Sequence, residues 1–122
     1  MNKYLFGRVA LFIIYAWFGI LKVIDASPAN SLIADLLEKT LPFITFENFI
    51  VIFGLFEVLI GLLFLFTRTR KIALTLFTLH MLMVLAPLVL LPNVAWQSPF
   101  IPTLEGQYMI KNIVLIALAL FI

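Results

Sequence analysis

The chain has 122 residues, of which 65% are hydrophobic and 11% charged, with a formal net charge of +2 and no cysteine. So few charges cannot cover a soluble domain of this size, and a balance this small and scattered gives no footprint for nucleic acid. The lack of cysteine excludes disulfides, thiolate metal sites and thiol redox chemistry. The apolar runs suit helices of about 20 residues, long enough to span a bilayer, and no period-2 alternation suggests barrel strands. The sequence therefore predicts a single-domain, all-α integral membrane protein. Its fold class is a four-helix bundle with a short amphipathic surface helix between the first and second spans.

The first span is predicted at residues 4–24. Its opening, "MNKYLFGRVALFIIYAWFGILK", has the look of a signal peptide. The apolar stretch is too long for one and no small-residue cleavage site follows, so it is expected to stay as a helix. Lys22 sits near the far end of this span, where snorkelling to the interface is the expected behaviour. Tyr15 lies two turns below on the same face and hints at an inward polar track.

The connection 25–47 carries structure of its own. Ser27 can cap a helix whose first residue is Pro28, and Leu32, Ile33, Leu36 and Leu37 form one apolar stripe. Asp35, Glu38 and Lys39 lie off that stripe, and Pro42 stops the helix. An amphipathic helix over about residues 28–41, lying on the membrane surface or capping the bundle, is expected.

The second span, 48–66, contains Glu57 in "FGLFEVLIG". Counted along the helix, Glu57 sits roughly 12 Å from its start, close to a bilayer midplane. Gly54 and Gly61 lie on the same helical face, which lets another backbone approach and turns Glu57 inward. Two readings stand: a structural carboxylate, protonated or paired with a lysine, and a functional one.

The turn "TRTRK" follows, with Arg68, Arg70 and Lys71. It is the basic loop, whereas the first connection is acidic and the third has no basic residue. The positive-inside rule then places this turn and both termini in the cytoplasm, Lys3 and Arg8 agreeing, and the other two connections outside.

The third span, 72–91, contains His80, also roughly 12 Å deep. Glu57 and His80 therefore share a level on helices joined by a tight turn. A hydrogen bond between them would favour the protonated imidazole. The plainer reading is a core histidine bonded to a backbone carbonyl or to a hydroxyl such as that of Thr78. A haem site would need two chains each giving a ligand, because there is no second histidine. Pro87 frees a carbonyl and is expected to kink the helix.

The connection 92–103 carries Pro92, Pro99, Pro102 and an interfacial Trp96. The last span, 104–122, begins with a polar arc. With Glu105 at zero on a helical wheel, Asn112 falls near about 340°, Tyr108 near 300°, Lys111 near 240° and Gln107 near 200°. Lipid would not tolerate that arc, so it is expected to face protein or water. It reads either as a buried network that fixes helix packing or as a ligand pocket open to the outer side, with Lys111 reaching toward Glu57. The dipole at the helix start favours Glu105. The end, Phe121-Ile122, has no polar anchor, which leaves a truncated end or a frayed last turn as the readings.

"RVALFIIYAWFGILK" followed by "FGLFEVLIGLLFLFTRTRKIAL" resembles the DoxX-like family of small four-helix bacterial membrane proteins. The pattern is Gly-x-x-Lys near the end of the first span, Gly-x-x-Glu in the second, and a basic turn before the third. The matching residues here are Gly19 and Lys22, Gly54 and Glu57, and Arg68 to Lys71. "PTLEGQYMIKN" looks like a tail seen in one branch of uncharacterised relatives. The resemblance implies a multi-pass protein of the bacterial inner membrane. Members include a subunit of a thiosulfate:quinone oxidoreductase and companions of envelope redox enzymes, while distant eukaryotic relatives act in cargo export or receptor assembly. Fold transfers across such diversity better than function, and no catalytic residues carry over.

Three functions follow as expectations. The first is a redox-linked subunit that binds quinone or a small substrate in an outward-facing polar pocket. Its ligand-binding candidates are Glu57, Lys111, Tyr108, Gln107, Glu105, Asn112, His80 and Lys22. The chain offers no metal site and no intrinsic cofactor, so electrons would need a bound quinone or a redox partner in the membrane or envelope. The second is a non-catalytic assembly or chaperone-like subunit that pairs with a partner, or with a second copy, through intramembrane charges. The third is a small transporter, for which inverted repeats and broken helices would be expected. The sequence assigns no reaction.

Overall fold

The computed structural model describes residues 2–122. The chain is all-α apart from one very short hairpin, and four helices are long and apolar enough to cross a membrane. The first, α1 (Lys3–Val23), opens on Asn2, whose side chain accepts a hydrogen bond from Leu5 N–H. It ends where Asp25 takes a left-handed conformation (φ 58°). The Asn30 side-chain amide donates to Asp25 Oδ1 at 2.8 Å.

Ser27 makes a turn before the surface helix: its hydroxyl accepts from Ala29 N–H at 3.1 Å and its carbonyl from Asn30 N–H at 3.2 Å. The helix α2 (Asn30–Thr40) therefore starts later than a Pro28 start would allow. Leu37 is buried, while Asp35, Glu38 and Lys39 are exposed.

The next helix, α3 (Phe46–Phe64), runs antiparallel to α1 and makes the most extensive contact in the molecule with it. A β-carbon at Gly19 would lie 2.5 Å from the Gly54 carbonyl oxygen, and one at Gly54 would lie 2.6 Å from the Gly19 oxygen. The two backbones touch there because neither residue has a side chain. Gly61 faces Tyr15 and Ala16 less tightly.

A single 3-10 turn at Thr67–Thr69 leads into α4 (Arg70–Leu85). The Thr69 hydroxyl donates to Leu63 O at 2.6 Å, which ties the turn back to α3. Pro87 has no N–H to continue the ladder, so α4 stops just before it and a short α5 (Pro87–Leu90) follows.

The third connection is ordered where the sequence suggested only a proline-rich link. A four-residue helix, α6 (Pro92–Ala95), runs into a hairpin of β1 (Trp96–Ser98) and β2 (Ile101–Pro102), with exposed Phe100 at the tip. Trp96 Nε1–H donates to Leu88 O at 2.9 Å, and Thr103 N–H to Ala95 O at 2.8 Å. Thr103 also caps α7 (Leu104–Phe121), accepting from Gly106 N–H at 3.1 Å. These bonds fix where α7 begins.

The core gathers Leu11, Tyr15, Ile60, Phe64, Ala73, Phe77, Met81 and Ala119. Both chain ends and the basic turn meet at one end of the molecule. Tyr4 stacks on Phe121 with centroids 5.6 Å apart, and Arg70 Nη2 lies 3.3 Å from Leu120 O. The surface helix α2 and the hairpin occupy the opposite end.

Candidate functional site

Four buried polar side chains form one chain of contacts. Lys22 Nζ lies 2.7 Å from Glu57 Oε1, Glu57 Oε2 lies 3.3 Å from His80 Nε2, and the Tyr15 hydroxyl lies 2.9 Å from His80 Nδ1. All four residues are at most 6% exposed.

Helix geometry explains how Lys22 reaches Glu57. Side chains lean toward the N-terminus of their own helix. On antiparallel α1 and α3, the Lys22 stem leans down along α1 and Glu57 leans up along α3 to meet it. Each lies three residues after the glycine at which the two backbones touch. Aromatic rings surround His80: Phe53 stacks on it at 5.3 Å, and Tyr15 meets it edge-on at 5.0 Å. Phe53 also lies 5.9 Å from the Lys22 ammonium.

The charges set the proton arrangement. A carboxylate only accepts, so the imidazole proton belongs on Nε2, facing Glu57. Nδ1 is then free to accept from the Tyr15 hydroxyl. The Nε2 contact with Glu57 is the loosest of the three at 3.3 Å, and Glu57 Oε1, beside the ammonium, keeps a lone pair for a further donor.

These four side chains form the floor of a cavity of about 1020 Å³. Its walls are mostly apolar, with Ile14 and Phe18 from α1, Leu36 from α2, Met81 and Pro87 from α4 and α5, and Leu115 from α7. Small-molecule sites have this form, concave and apolar with a few convergent polar groups. A second cavity of about 230 Å³ lies beyond Lys22, beside Asp25 and Glu47.

The structure divides the candidates read from the sequence. Glu57, His80 and Lys22 stand together on the floor, and Glu105, Tyr108 and Asn112 line the cavity. Gln107 and Lys111 do not line it and are exposed. The Lys111 ammonium lies 5.4 Å from the Tyr108 ring, and its expected pairing with Glu57 does not form. The polar arc of α7 is cut between about 300° and 240° on the wheel, because α7 offers only one narrow face to its neighbours.

Lys22, expected to snorkel, instead fills the place foreseen for Lys111. His80 bonds Tyr15 and faces Glu57 rather than a backbone carbonyl, and the Thr78 hydroxyl donates to Leu74 O at 2.8 Å. Tyr15 belongs to the site, and its signal was the face it shares with Lys22. Among the described residues, no group of three or more His, Asp or Glu side chains is placed to hold a metal ion.

The chain matches no family model, no curated protein and no solved structure.

Proposed function

We propose that the chain is a DoxX-like four-helix bundle of the bacterial inner membrane, with both termini and the basic turn cytoplasmic. In this reading it binds quinone, or a small substrate with a similar carbonyl head, in the cavity between its helices. It serves there as the membrane subunit of a redox system. The observation that carries this is a large apolar cavity ending on Lys22, Glu57, His80 and Tyr15. The residues fit such a head. The Lys22 ammonium is a donor to a carbonyl oxygen, and the largely apolar walls suit a ring and tail.

A bound quinone would supply two-electron chemistry, with electrons coming from a partner. The protein's own residues would bind the head, exclude water and hold protons. His80 stands between a hydroxyl and a carboxylate and can pass a proton from either side, as an imidazole does in a relay. Purification in mild detergent, followed by extraction and mass spectrometry of lipids and quinones, tests the reading. Stoichiometric quinone in the wild type and its loss from His80→Ala are expected. No enrichment over the surrounding lipid extract would defeat it.

A second reading has one observation in its favour. Gln107 and Lys111 face outward from α7, and no carboxylate lies within ion-pair distance of Lys111 among the described residues. An assembly subunit would use that ammonium to pair with an acidic residue of a client helix. A co-purifying protein lost from Lys111→Met, with no bound quinone, would select this reading.

A further inference from the structure

The helices α1 and α7 both line the cavity and meet closely near Gly7. At Gly7, a β-carbon would lie 2.9 Å from Ile122 Cγ2 and 3.1 Å from Leu118 Cδ1, so α1 and α7 meet closely there. Farther along α1, Ile14 and Phe18 continue the face of Gly7, seven and eleven residues on. Along α7, Leu115 and Tyr108 lie seven residues apart on one face, adjoining that of Leu118. At that level residues of both helices line the cavity. Phe18 is 51% exposed and Tyr108 is 60% exposed, although both line the cavity. The helix α2 packs on α3 and α5.

We infer that α1 and α7 splay into a lateral portal, between Phe18 and Tyr108, through which a bilayer-dissolved amphiphile enters from the side. Its polar head reaches Lys22 and Glu57, and its apolar tail rests between the two aromatic side chains and trails into lipid. The inference rests on the proposed cavity ligand, and it specifies that ligand's class and route. The chemistry of the portal supports the assignment. Two aromatic rings stand at its edges and suit an alkyl chain, whereas a water-soluble substrate would gain nothing from an opening onto lipid. The buried ion pair on the cavity floor matches the polar end of such a ligand.

The lack of native cysteine makes a direct test available. Phe18→Cys and Tyr108→Cys are combined in phosphatidylcholine vesicles and bridged with a short bis-methanethiosulfonate. The control carries the same cysteines, each capped with methyl methanethiosulfonate. Exchange of decylubiquinone from the bilayer and equilibrium affinity for the tail-less duroquinone are both measured. The bridge should slow decylubiquinone exchange by at least an order of magnitude and leave duroquinone affinity unchanged. Reductant should restore exchange, which shows that the bridged protein is folded. Unchanged decylubiquinone exchange in the bridged protein, with both quinones bound by the control, overturns the portal alone. Wild-type protein that binds neither quinone overturns the ligand reading, and the portal with it.

Discussion

Lys22 Nζ stands 2.7 Å from Glu57 Oε1, although the two residues lie on different helices, with Lys22 one residue from the end of α1 and Glu57 well inside α3. The contact depends on two circumstances. The glycines three residues earlier let the helices touch, and the antiparallel arrangement points the two side chains at each other. Pair and glycines form one construction, and disturbing either part should disturb the other.

Breaking the pair from one side should be worse than removing it. A buried charge left without its partner typically costs about 3–5 kcal/mol, while an apolar replacement of both is often close to neutral. Lys22→Met and Glu57→Leu should each lower thermal stability by that order, and the double variant should recover most of the loss. Additive losses in a double-mutant cycle would show that the charges are not coupled. Lys111→Met should shift stability by no more than about 0.5 kcal/mol, as exposed substitutions do.

The glycines should rank by the closeness of what they face. Gly54→Ala drives a methyl group against a backbone oxygen that cannot rotate away, with the overpacking cost of about 1–3 kcal/mol, or more. Gly61→Ala meets its nearest neighbours at 3.1 to 3.3 Å and needs a shift of only a few tenths of an ångström. Thermal melts should place Gly61→Ala well above Gly54→Ala. The reverse order would mean that the helices do not cross at Gly19 and Gly54.

Tyr15→Phe removes a single hydroxyl and leaves the ring in the core. The loss of one neutral hydrogen bond should cost about 1 kcal/mol. If the hydroxyl orients His80 for proton handling, ligand retention or proton uptake should fall far more than stability does. Equal wild-type performance in both assays would reduce Tyr15 to packing.

The sequence predicted the four long helices because each is a continuous apolar run, and α2 because its leucines recur at helical spacing. It also placed Glu57 and His80 at one level, since depth follows from counting residues. Lys22 was misread for a physical reason. Its α-carbon sits at a helix end, where lysines usually reach outward, and only the crossing at Gly19 and Gly54 shows that its stem turns inward. The division of α7 was hidden as well. A wheel orders the polar residues by angle, but the neighbours decide where the buried face stops. The hairpin at 96–102 was not legible, because it is held by bonds to distant backbone such as Leu88 O and Ala95 O.

Topology gives a further check. Thr67 and Ser98 are exposed at opposite ends of the molecule. In intact cells an impermeant thiol reagent should label Ser98→Cys and spare Thr67→Cys, as the basic turn requires. Labelling of Thr67→Cys with none at Ser98→Cys would invert the orientation.

The position of Lys22 near a helix end also bears on how such a chain enters a bilayer. A lone charge at the centre of a membrane helix costs about 3 kcal/mol on insertion scales. During synthesis α1 emerges first, when its lysine has no carboxylate to meet. So close to the end of α1, the ammonium can wait at the headgroup level, held there by its flexible stem. Glu57 has no such refuge deep in α3, but by the time it arrives the counter-charge is already nearby. In a bilayer, docking of α3 on α1 would draw the lysine inward to the carboxylate. The outward pose natural to an isolated helix would then precede the buried pair.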